Sequence, residues 1–128
     1  MTTIKINNDQ NEIYNEVGLQ LIGSNAPNQH GLNPKELLEA SLGLCISITI
    51  RNLLERDEID IDPTEIEVDV IASKEPGVKS RFTHFHVQLK LPAILDLDYK
   101  SKLITQVERI CTISNTLRHA PVIEAVEV

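Results

Sequence analysis

Tryptophan is missing from the 128 residues, and two tyrosines with two phenylalanines hold aromatic content to 3%. Any core must therefore be aliphatic. Basic residues are scarce: 12 Lys and Arg against 19 Asp and Glu leave a formal charge of -7. Nucleic acid and anionic membrane both require Lys/Arg patches, so neither is expected as a partner. The first six residues, Met1 to Ile6, hold no apolar signal core and no cleavage site. The longest apolar run is interrupted by Glu39 and ends at Arg51, short of the roughly 20 residues that span a bilayer. The expected location is the cytoplasm. No Gly-rich phosphate loop, nucleophilic-serine motif or dinucleotide fingerprint occurs. Neither a repeat nor a linker divides the chain, so one domain over residues 1–128 is expected. Cysteine occurs only at positions 45 and 111. In a reducing compartment such a pair is a poor candidate for a permanent staple, which leaves reduced, catalytic or inert thiols.

The rest of the chain alternates clear patterns with turn chemistry. Ile4 and Ile6 alternate with polar neighbours, and Val17, Leu19 and Leu21 with Glu16, Gly18 and Gln20, the period of half-buried strands. Gly23 to Leu32 is a loop on its Gly, Pro and Asn content, long enough to cover a site. Asn33-Pro34-Lys35-Glu36 is a helix start: Asn33 caps, Pro34 takes the first helical position, and Glu36 completes a capping box. The helix is predicted to run to about Arg56, with charged last turns in water. Its Leu37–Ile50 stretch is apolar on every side, more than so short a chain can cover, which points to burial against a second copy. Ile66, Val68 and Val70 then alternate with acidic residues from Glu65 onward, Lys74 to Gly77 is a turn, and Phe85, Val87, Leu89 and Leu91 line one face of a second strand. His84 and His86 lie on its wet face, expected opposite Glu65, Glu67 or Asp69. Asp96 or Asp98 caps a helix with Leu103, Ile104, Val107 and Ile110 on one side, which delivers Cys111 at its end. A short helical turn and a final strand near Val122 to Val128 complete an α+β order.

Each cysteine is thus tied to a helix, and the pair is a candidate dithiol. A lone cysteine is most often a small buried hydrophobe; the surroundings of both change that reading. Asn33 to Leu38 followed by Gly43-Leu44-Cys45 resembles the first-cysteine helix of the OsmC/Ohr family (osmotically induced and organic hydroperoxide resistance proteins). Arg81 to Val87 resembles its middle hairpin strand. Cys111-Thr112-Ile113-Ser114 looks like its second-cysteine motif, usually Cys-Pro-x-Ser. The resemblance implies antiparallel sheets wrapped around two central helices and an intertwined homodimer with sites at the interface. It implies thiol-dependent reduction of organic hydroperoxides with no metal or cofactor, Cys45 being the peroxidatic residue and Cys111 the resolving one. A thiol reductant, such as a lipoyl or other dithiol, would reset the pair. Leu37, Leu38, Leu42, Leu44 and Ile48 would suit the organic tail of the peroxide.

The chain departs from that family at the activating cation. Cys45 sits mid-helix, where the helix dipole helps little, and aliphatic burial raises a thiol pKa. The hydroperoxide-reducing branch supplies an N-terminal Arg held by a Glu ten residues before the cysteine. Here no Arg precedes Asn33, and that position is Lys35. Lys35, Glu36, Arg118 or Arg109 are the candidate tuning groups. Thr112, in place of the usual Pro, restores a backbone N–H after Cys111.

Two other readings compete with the peroxidase. A non-enzymatic dimer of this kind would hold an apolar small molecule between subunits. A metal protein would use His84 and His86, yet no third ligand stands at motif spacing. Glu39 is expected at the loop or in solvent near the helix start, and the isolated His30 and His119 at the surface.

Overall fold

A computed structural model describes all residues, 1–128. The chain divides into two compact units, Met1–Ala40 and Ser41–Val128.

The first unit is a three-stranded antiparallel meander, β1 (Thr3–Asn7), β2 (Gln10–Asn15) and β3 (Gly18–Gly23). Asn8 and Asp9 both take positive φ, which is the backbone of a two-residue hairpin turn. The middle strand was not evident in the sequence, because Gln-Asn-Glu-Ile-Tyr-Asn shows no apolar alternation. The register shifts at a bulge between Ile13 and Tyr14, so the expected Val17-Leu19-Leu21 face does not persist; Val17 and Leu19 are exposed. The following loop closes at its base, Ser24 N–H donating to Leu32 O and Leu32 N–H to Ile22 O. A side chain at Gly31 would drive its Cβ into the Ile22 carbonyl oxygen, so only glycine fits there.

Helix α1 (Pro34–Arg56) begins in the first unit and continues into the second. The capping box forms as expected: Glu36 N–H donates to Asn33 Oδ1 at 2.8 Å and Asn33 N–H to Glu36 Oε1 at 3.1 Å. At the other end Glu58 adopts a left-handed φ of 54°, with Ile59 N–H bonded to Leu54 O and Glu58 N–H to Glu55 O, a Schellman termination. The helix is long and apolar enough by composition to cross a bilayer, contrary to the length argument above. A core helix satisfies the same criterion, and its inner side chains Leu42, Ile46, Ile50, Leu53 and Leu54 are buried in protein.

In the second unit a 3-10 turn (Pro63–Glu65), capped by Asp62, delays the next strand. Strand β4 (Glu67–Ser73) then pairs antiparallel with β5 (His84–Lys90). The connecting turn has Pro76 followed by Gly77 at φ 87°, with Val78 N–H bonded to Glu75 O, a type II turn. Val68, Val70, Phe85, Val87 and Leu89 pack against the core. A Cβ on Gly43 would come within 3.3 Å of Val70 Cγ2, so glycine lets α1 approach β4 closely. His84 and His86 face Ser73 and Ile71 across the ladder, not the acidic residues expected; Glu67 stands opposite Lys90. The register places acids and histidines at different ends of the hairpin.

Asp96 caps helix α2 (Leu97–Ile110), accepting from Tyr99 N–H at 2.7 Å. Leu103 and Val107 are buried, while Ile104 and Ile110 are partly exposed, so the inward face is narrower than the sequence pattern. Helix α3 (Thr112–Arg118) follows Cys111. The strand expected near Val122 to Val128 does not form: residues 120–128 have no regular structure and Val122, Ile123 and Val126 are exposed. A strand needs a neighbour's backbone, and none pairs with this segment.

Candidate active site

Cys111 is where two helices meet. Its N–H donates to Val107 O at 3.0 Å, ending α2, and its sulfur accepts from Ser114 N–H at 3.4 Å, starting α3. The residue is extended, fully buried and reduced. Cys45 comes from the middle of α1, is half-buried and is also a free thiol. Both belong to the second unit, and its core brings the two side chains together.

Their surroundings push them in opposite directions. Burial, the largest influence, raises the pKa of Cys45, but the neighbouring Cys111 thiol, the Ile113 and Thr112 N–H groups and Thr49, whose hydroxyl donates to the Cys45 carbonyl oxygen at 2.8 Å, favour the thiolate; together these outweigh burial and hold it below the ordinary thiol value. Burial raises Cys111 as well. There the neighbouring Cys45 adds to the rise, and the N–H groups of Ser114 and Ile113 offset only part of it. Of the two thiols, Cys45 is the one whose surroundings favour ionisation.

The candidate tuning groups lie elsewhere or act on other partners. Glu36 is engaged in the capping box, and Lys35 Nζ pairs with Glu39 Oε2 at 3.1 Å, which leaves Glu39 partly buried near the helix start. Arg118 donates to the Glu108 carbonyl oxygen at 3.0 Å and borders a cavity of about 490 Å³ beside Cys111. Arg109 is an exposed residue near the end of α2. Of the apolar residues assigned to a peroxide tail, Leu42 lines that cavity, Leu44 and Ile48 are exposed, and Leu37 and Leu38 are half-buried. The functional groups missed in the sequence are Thr49 and the first N–H groups of α3. Thr49 had a legible signal, one helical turn after Cys45. Backbone donors carry no residue signature. His84 and His86 bond locally, to Thr83 and Gln88, and no three His, Cys, Asp or Glu residues cluster as metal ligands.

A hairpin and helices packed around one aliphatic core that includes two reduced thiols define an α+β protein with a candidate dithiol. The profile of OsmC-like proteins matches residues 26–126, a span with both cysteines and the β4–β5 hairpin, and the chain belongs to that family. Among solved structures it is similar to the OsmC-like protein of Mycoplasma pneumoniae, at a TM-score of 0.81 and 16% identity over 94% of this chain and 87% of that one. It is similar to the organic hydroperoxide resistance protein OhrB of Bacillus subtilis, at 0.64 and 21% over 94% and 90%. An organic hydroperoxide resistance protein OsmC of Legionella pneumophila matches at 0.65 and 18% over 92% and 89%. Identities this low speak for the fold. Among curated proteins none matches the sequence.

Proposed function

We propose that this protein is a thiol-dependent peroxidase that reduces organic hydroperoxides through a Cys45/Cys111 dithiol–disulfide cycle. The observation that carries the reading is the pairing of two free thiols with opposed pKa directions, Cys45 lowered and Cys111 raised. Two solved relatives that share the fold are organic hydroperoxide resistance proteins, which supports the substrate class.

In this reading the Cys45 thiolate attacks the distal oxygen of ROOH, the O–O bond breaks, and the departing alkoxide takes from solvent the proton that Cys45 released on ionising, leaving as the alcohol. Cys45 becomes a sulfenic acid. Cys111 gives up its proton and attacks that sulfur, forming the disulfide and releasing water. Protonated Cys111 has two successive uses: it donates to the Cys45 thiolate, then serves as the second nucleophile. An external thiol restores both.

A homodimer belongs to the same proposal. Leu44 and Ile48 project from α1 at 62% and 50% exposure, one turn apart, and flank Cys45. A second copy that covers them would exclude water around the nucleophile.

Stoichiometric cumene hydroperoxide is expected to remove both free thiols of each chain, and Cys45→Ser to abolish the loss. Retention of both thiols in the wild type, with a ligand-dependent rise in melting temperature instead, would establish the apolar-ligand binding protein that the aliphatic cavity also suits.

A further inference from the structure

Cys111 interrupts what would otherwise be one helix. Residues 97–110 and 112–118 are helical on either side of it, and its own backbone is extended, at φ -61° and ψ 110°. In a helix continued through this point, Glu108 O would accept from Thr112 N–H, Arg109 O from Ile113 N–H and Ile110 O from Ser114 N–H. The break redirects those donors. Ser114 N–H donates to Cys111 Sγ at 3.4 Å, and the Thr112 and Ile113 amides turn to Cys45. Backbone carbonyls released in this way need other donors. Two side chains of α3 supply them: Arg118 Nη1 donates to Glu108 O and Asn115 Nδ2 to Arg109 O, both at 3.0 Å. Each of these carbonyls is one whose helical partner now faces Cys45. Asn115 also donates its own N–H to Cys111 O at 3.0 Å, so it grips the junction from both sides.

We propose that Asn115 and Arg118 are positioning residues for Cys45, holding the released carbonyls of α2 so that the Thr112 and Ile113 amides stay turned to the nucleophile. The proposal rests on the reading of Cys45 as the reacting thiol and adds residues that act on it through the backbone. Without these side chains the two carbonyls compete for the same amides. Thr112 N–H and Ile113 N–H then return to Glu108 O and Arg109 O, α2 and α3 straighten toward one helix, and Cys45 loses two groups that favour its thiolate. Arg118 thus works as a hydrogen-bond donor at the end of α2, not as a charge beside the sulfur.

The test follows Cys45 in the whole protein. Its alkylation by iodoacetamide is measured against pH and located by peptide mass, with no peroxide present, and melting temperature is read in parallel. Asn115→Leu and Arg118→Met each remove one donor at similar size. Each is expected to move the Cys45 midpoint upward and to slow alkylation at neutral pH roughly threefold to tenfold, the worth of one hydrogen bond. Arg118→Gln keeps a donor but not the charge, and is expected to restore most of the wild-type profile. Arg118 is exposed, so Arg118→Met and Arg118→Gln fold and decide the matter where Asn115→Leu does not. An unmoved midpoint in either folded donor-less variant overturns the clamp, whatever happens to the melting temperature. So does an Arg118→Gln profile no better than that of Arg118→Met, the mark of a direct charge effect. In both cases a wild-type midpoint below that of an ordinary thiol leaves the peroxidase reading intact. A wild-type midpoint at the ordinary value overturns both.

Discussion

At Cys45 a half-buried thiol, which burial alone would push up, is brought below the ordinary range by the neighbouring Cys111, Ile113, Thr112 and Thr49. One donor exists only because this chain departs from the usual Cys-Pro-x-Ser motif. Proline has no N–H, whereas Thr112 supplies one at the first position of α3. The same residue that breaks the motif thus contributes to the activation for which no N-terminal Arg is present. Proline is well tolerated at the first helical position, so Thr112→Pro should fold normally. It should lose one hydrogen bond to a charged sulfur, roughly 1.5 kcal/mol, and react with peroxide roughly tenfold more slowly at neutral pH. The sign in pH follows from ionisation. Wild-type reaction rate should rise with pH to a midpoint below that of an ordinary thiol, and the variant's midpoint should lie higher. Stopped-flow rates against pH, with thiolate absorbance as a second readout, check both. Both sulfurs were legible in the sequence. The activating groups were only partly legible, because two of them, the Ile113 and Thr112 amides, are backbone groups that no residue type announces.

Helix α1 was readable at both ends and along its length, since capping box and apolar run agree on one element. What joins it to α2 was not readable. Tyr99 donates to Asp57 Oδ2 at 2.6 Å, and Arg56 binds Asp57 at 2.9 Å and Gln106 at 3.2 Å. From the sequence, Arg56 is expected only as part of a helix end in water. Burial and the Asp57 carboxylate raise the Tyr99 pKa from 10.0 to about 12. A phenol whose folded pKa is raised stabilises the fold fully below its unfolded pKa and loses that contribution as pH rises through the folded one. Tyr99→Phe should therefore melt at lower temperature than the wild type at neutral pH. The difference should shrink between pH 10 and about 12, the window set by that shift. Thermal melts of the two proteins across this range decide it. The unread strand β2 and the expected final strand that does not form share one reason: pairing depends on a partner strand rather than on the segment's own pattern.

At the scale of the whole molecule, the exposed aliphatic residues of α1 argue for the dimer proposed above. A central helix with Leu44 and Ile48 in water is costly in isolation, at about 25 cal/mol per Å² of apolar surface left uncovered. The double variant Leu44→Glu, Ile48→Glu should sediment as a monomer where the wild type sediments as a dimer. Sedimentation velocity of both proteins reads this directly, and a monomeric wild type would sink the dimer. Peroxide reactivity should fall with dissociation if the second copy shields Cys45 from water, which separates a catalytic assembly from an incidental one.

Length, charge, periodicity and capping residues, all local properties, were enough to establish the α+β class, the extent of α1, the hairpin faces and the two sulfurs worth pursuing. Only the folded chain could show that Cys111 ends one helix and begins another beside Cys45, because that depends on α1, α2 and the hairpin packing around one aliphatic core. The same packing gives the two thiols their opposed pKa directions. Acidity is a property of neighbours within hydrogen-bond reach, and neighbours far apart in the chain are chosen by tertiary structure.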